Sequence, residues 1–129
     1  PTLNERLGDQ IDKFLRAIKP GVAWERLNWG LSRSPELNQH PECEIPSLEP
    51  PYDLNQVWVR REDQVLFRLP KTRALIFGIN ILNISVAEIA ADKEGRNRLR
   101  MAISTMPDEI AKYKNIQESR DHLLGLLKD

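Results

Sequence analysis

Apolar residues recur at two different spacings along this chain, and the change of spacing divides it. Leu3, Leu7, Ile11, Phe14, Leu15 and Ile18 return every three or four positions, as on one face of a helix. Thr2-Leu3-Asn4-Glu5 reads as its capping box, and Pro20-Gly21 as its end, so the spacing predicts a helix over 3–18. From Val22 to Ser32 the period drops to two. Trp24, Arg26 and Asn28 then point one way, and Glu25, Leu27, Trp29 and Leu31 the other. Val57 to Leu69 alternates again: Val57, Val59, Val65, Phe67 and Leu69 share one face, and Trp58, Arg60, Glu62, Gln64, Leu66 and Arg68 the other. Pro70-Lys71-Thr72-Arg73 supplies a turn and Ala74 to Leu82 the return strand, with Phe77 as a core candidate. A tight turn at Arg61-Glu62-Asp63 ranks second, because it lacks Gly or Asn.

The segments between and after these strands follow from Pro, Gly and cap signals. Residues 33–54 carry Pro35, Pro41, Pro46, Pro50 and Pro51, which exclude helix and central strand, so a long loop is expected. Ser85-Val86-Ala87-Glu88 reads as a second capping box, opening a helix to about Lys93 that Gly95 breaks. Further helices are expected over Asn97 to Ser104, from Pro107 to about Lys114, and from Ser119 to the end. The order is α+β: one helix, three antiparallel strands, then helices. Residues 1–84 form the sheet-bearing part and 85–129 the closing helical segment.

Composition narrows the function classes. The 129 residues are 40% hydrophobic and 29% charged, which suits one folded domain. Nineteen Lys and Arg balance nineteen Asp and Glu, so the basic excess of a nucleic-acid binder is missing. No apolar run is long enough to span a membrane. One cysteine, Cys43, favours a reducing compartment, the cytoplasm. It lies between Glu42 and Glu44 and is a poor nucleophile. His40 and His122 are too far apart for a metal pair and read as surface histidines, so no metal ligand is assigned. The chain starts at Pro1 without Met, as a fragment or processed chain would.

The remaining candidate chemistry is Arg60-x-Glu62-x-Gln64-x-Leu66-x-Arg68, all on one strand face. A solvated strand face with a surface ion pair is the plain reading. Trp58 and Leu66 on that face, with Trp24 and Trp29 from the preceding strand, suggest instead a pocket floor.

These residues carry a family resemblance. Val59 to Thr72 resembles the R-x-E-x-Q-x-L-x-R-L-P-x-[ST] signature of the heme-dependent oxidative N-demethylase family. Pro1 to Leu7 is similar to the segment after that family's H-x-P-V-P motif. Glu25 to Trp29 is similar to its R-x-N-W motif, and Met106 to Glu109 with Tyr113-Lys114 to its P-x-E-x-x-x-Y-K-[GN] region.

The resemblance implies a PAS-like fold around heme b. It also implies O₂-dependent removal of a methyl group from a small secondary amine as formaldehyde, with electrons from a flavin and iron–sulfur reductase. This chain then reads as the C-terminal half, partnered by an N-terminal half that carries the H-x-P-V-P motif; if that motif's histidine is the axial ligand, it lies outside this chain. Carried over position by position, Glu62 and Gln64 become catalytic candidates. Arg26, Asn28, Trp29, Arg60 and Arg68 become cofactor-binding candidates, with an Arg fork suited to a propionate. One departure stands out: Asn80-Ile81-Leu82 occupies the place where the family continues Arg-x-Tyr. It leaves a non-catalytic PAS-like heme or ligand-binding sensor as the alternative.

Overall fold

A computed structural model describes residues 3–128, with side chains from Gly8 onward. The expected capping box at Thr2 to Glu5 lies outside these described residues. Helix α1 spans Leu3–Ala17. Strands β1 (Ala23–Ser32), β2 (Trp58–Arg68) and β3 (Leu75–Ser85) form one sheet in that order. Helices α2 (Val86–Ala91), α3 (Lys93–Ser104), α4 (Asp108–Tyr113) and α5 (Arg120–Leu126) close the chain. The layout is α+β with an antiparallel sheet, as the alternation predicts.

The β2–β3 connection is the four-residue loop at Pro70–Arg73, not a turn at Arg61–Asp63, which lies inside β2. Leu69 N donates to Ala74 O at 2.9 Å to close the loop. Arg73 carries the positive φ of 63° that reverses the chain. β3 runs three residues beyond Leu82, to Ser85. Ser85 makes no side-chain cap. Val86 N instead donates to Val57 O at 2.9 Å, which docks the start of α2 on the residue before β2.

The break between α2 and α3 falls at Asp92, not at Gly95. Asp92 Oδ2 accepts from Gly95 N at 2.7 Å and caps α3. Gly95 is needed there for space, since a Cβ would lie 2.8 Å from Ile89 O. The long loop carries two short 3₁₀ turns, Pro41–Cys43 and Leu54–Gln56.

The chain forms two compact units. The first joins Glu62–Ile81 to the residues up to Asn28. In it, Ile18 is buried at the end of α1, and the Phe14 and Trp24 rings meet edge to face, 5.3 Å between centroids.

The second unit joins Trp29–Arg61 to the residues from Leu82 on. It holds the main hydrophobic core, with Val57, Val86, Ile103, Ile116 and Leu123 fully buried. Leu31 and Val59 pack against that core, and so does Trp29, in place of the pocket floor that the sequence suggests for it. Helix α4 ends in a Schellman motif. Ile116 N donates to Ala111 O (2.8 Å) and Asn115 N to Lys112 O (3.1 Å), with Asn115 at φ 55°.

Tyr52 ties the proline-rich loop to α5 in the second unit. His122 Nε2 lies 2.7 Å from Tyr52 O and its ring stands edge-on to the Tyr52 ring, so His122 is half-buried packing and not a surface histidine. Burial pushes the Tyr52 phenol above its ordinary value of 10.0, with the Ser119 hydroxyl and the Arg33 guanidinium pulling partly the other way. The unfolded chain then releases the proton first. The Tyr52 contribution to stability is therefore fully present below pH 10.0 and is lost as pH rises toward the folded value. Urea midpoints below and above pH 10.0 are expected to show this fall in the native chain and a smaller one in Tyr52→Phe.

Candidate functional site

The alternating face of β2 and its neighbour β1 brings four of the seven candidate side chains together, all in the first unit. Arg26 lies opposite Gln64 and Asn28 opposite Glu62, the antiparallel register in which two steps forward on β1 match two steps back on β2. Arg26 Nε donates to Gln64 Oε1 at 2.8 Å. Gln64 Nε2 donates to Glu62 Oε2 at 2.8 Å, and Asn28 Nδ2 reaches the same oxygen at 3.3 Å. Gln64 is only 6% exposed and Glu62 is half-buried. A freely solvated strand face would not bury the middle of this chain of hydrogen bonds.

Large apolar side chains flank the cluster on the same face. A Cβ on Gly78 would lie 3.0 Å from Val65 Cγ1, so Gly78 shares the face of Val65. Phe77 and Ile79 therefore lie on the opposite face, with Gln64. Phe77 is 50% exposed, Ile79 47% and Trp24 50%. The expectation that Phe77 is core is thus corrected: alternation assigns its face but not a covering layer. By the same parity Asn80 falls on the Val65 face, away from Glu62.

Arg68 sits in the first unit but is committed elsewhere. Its Nε donates to Ile18 O (2.8 Å), Nη2 to Leu15 O (2.7 Å) and Nη1 to Arg73 O (2.7 Å). A cation here meets the carbonyl end of α1, where the helix dipole favours it, and also ties down the hairpin loop. Arg68→Met is expected to cost about 1.5–3 kcal/mol, since charged hydrogen bonds to half-buried carbonyls are lost. A urea titration followed by circular dichroism measures it.

Arg60 and Trp29 belong to the second unit. Arg60 donates to Glu36 O (3.4 Å) and Leu37 O (3.1 Å), anchoring the proline-rich loop. Trp29 packs on the core, with Lys114 Nζ 5.6 Å from its ring centroid and donating to its carbonyl.

Neither spacing nor charge along the sequence points to a role for Lys114 or Asn115. Pro107 at the α4 N-cap, Lys114 on Trp29 and Asn115 in the left-handed conformation now give the P-x-E-x-x-x-Y-K-[GN] spacing a structural basis. The Asn that follows Tyr-Lys was the available signal, because Gly and Asn tolerate a positive φ. The second unit also holds a cleft of about 570 Å³ between the proline-rich loop and the end of α4, lined by Arg33, Gln39, Glu49, Lys112 and Glu118 among others.

Among the described residues, no group of three or more His, Cys, Asp or Glu could hold a metal ion, and no helix is long and apolar enough to cross a membrane. His40 is exposed beside Glu42, and Cys43 is a free, exposed thiol. Chemically, the first unit offers a carboxyl oxygen that accepts from two side-chain amides and is bordered by aromatic and aliphatic surface. Residues 1–124 match the family model described as haem-dependent oxidative N-demethylase, alpha subunit-like. With nearly its whole length matched, the chain belongs to the haem-dependent oxidative N-demethylase alpha subunit-like family.

Proposed function

We propose that the protein takes part in O₂-dependent oxidative N-demethylation of a small secondary amine, with Glu62 as the working carboxylate. The observation that carries this reading is the convergence of Gln64 and Asn28 on Glu62 Oε2 beside exposed Trp24, Phe77 and Ile79. A secondary amine is a cation near neutral pH. A carboxyl group oriented by the Gln64 and Asn28 amides presents oxygens that can accept the N–H of such a cation.

Heme is a broad apolar plate with two carboxylates, and the described residues fit one side of it. Trp24, Phe77 and Ile79 would support the plate, as exposed apolar groups of this size mark a surface meant to be covered. Bound heme b would supply O₂ activation and the oxidation of the N-methyl group. Glu62 would bind and orient the ammonium and exchange protons at its carboxylate, while Gln64 and Asn28 hold that carboxylate in place. The three carbonyl bonds of Arg68 and the two of Arg60 support framework roles for these arginines in place of propionate contacts.

A flavin and iron–sulfur reductase and at least one other subunit complete the proposal, in keeping with the alpha subunit-like description. A cytoplasmic location completes it too, in keeping with the single free cysteine. The direct test is the visible spectrum of the purified full-length protein before and after hemin addition. A Soret band supports the reading. Its absence even with added hemin rejects it.

A further inference from the structure

From the hydrogen-bond polarity in the first unit, we infer that Arg26 acts on Glu62 through Gln64, so that Arg26 and Gln64 are positioning residues arranged in series. The inference rests on Glu62 being the working carboxylate, but its geometry stands by itself.

A guanidinium only donates, so the Gln64 atom 2.8 Å from Arg26 Nε must be the carbonyl oxygen. The amide then has one orientation left: its amino group faces Glu62 Oε2, also at 2.8 Å. Reversing the amide would set N–H against N–H at one end and oxygen against oxygen at the other. Gln64 is nearly closed off from water, which leaves no solvent partner to rescue a reversed amide.

The residue type follows from this. Glu at position 64 would still accept from Arg26 but would press a second carboxylate against Glu62. Met would serve neither neighbour. An amide of this length accepts from the cation and donates to the anion. Arg26 itself is exposed, yet its effect reaches a half-buried carboxylate one residue pair away along the sheet. Asn28 reaches Glu62 by a separate bond from β1, in parallel with the Arg26–Gln64 route.

Series and parallel arrangements predict different coupling. The first arm needs no turnover: side-chain amide NMR of the full-length protein. In Arg26→Met, the Gln64 amide protons are expected to exchange with solvent about tenfold faster or more, since the bond that fixes the amide is gone. The Asn28 amide should move little. Unchanged Gln64 resonances and exchange would overturn the inference.

The second arm uses amine-dependent O₂ consumption by the heme-loaded protein. Arg26→Met and Gln64→Met should each lower kcat/KM by about tenfold, as loss of one bond to a charged group does. The double variant should be no worse than Gln64→Met alone. Adding Asn28→Ala to Arg26→Met should instead multiply the losses. Multiplying losses for Arg26 with Gln64 would overturn the series arrangement. If the amide arm holds while no variant and no native protein turns over amine, the relay stands and the demethylase reading fails.

Discussion

Glu62→Gln is expected to lower amine-dependent O₂ consumption by about two to four orders of magnitude, the usual contribution of a placed acid or base. The variant keeps the length and shape of the side chain and replaces the carboxyl by a neutral amide with one acceptor oxygen. Gln64 and Asn28 now share Oε2 of Glu62. A Gln carbonyl in the same place can accept from one or both, so the first unit should lose only about 1 kcal/mol. A melt near the native temperature together with collapsed turnover is the expected pair of results. Unchanged turnover would remove Glu62 from acid–base and amine-binding roles alike.

The largest effect on stability is expected in the second unit. Leu123 of α5 is 0% exposed in the cluster with Val57, Val86, Ile103 and Ile116. Leu123→Ala removes buried methyl and methylene groups and leaves a cavity that close-packed neighbours fill poorly. The cost should be about 2–5 kcal/mol, enough to lower the melting temperature by about 10 °C. Phe77→Ala is the useful contrast. Half of that ring already meets water, so its loss should cost only about 1–2 kcal/mol. Equal costs at the two positions would mean that Phe77 is covered in solution.

That contrast marks how far the sequence could be read. Period-two alternation put Arg26 with Asn28 on one face of β1 and Glu62 with Gln64 on one face of β2, because side-chain direction in a strand is fixed by parity. The pairing of the two strands, which parity does not give, sets the two pairs side by side. Long amphipathic helices declared themselves for the same kind of reason. Alternation is silent about what lies over a face, which is why Phe77 read as core.

Nor does period two show where a helix end comes to rest. Arg68 looked like its neighbours Glu62 and Gln64, yet it meets the last carbonyls of α1. Short-range competition decided the remaining differences. Asp92 out-competed Gly95 as the helix boundary, because a carboxylate can take the first amides of α3. The backbone bond from Val86 N to Val57 O let β3 run on to Ser85 with no side-chain cap at that residue.

The decisive measurement is formaldehyde release alongside O₂ consumption by the heme-loaded full-length protein, given a small secondary amine and a competent flavin and iron–sulfur reductase. Formaldehyde is expected in step with O₂ consumed, with both lost in Glu62→Gln. Heme bound and reduced, with O₂ consumption indifferent to the amine and no formaldehyde formed, would contradict the demethylase reading.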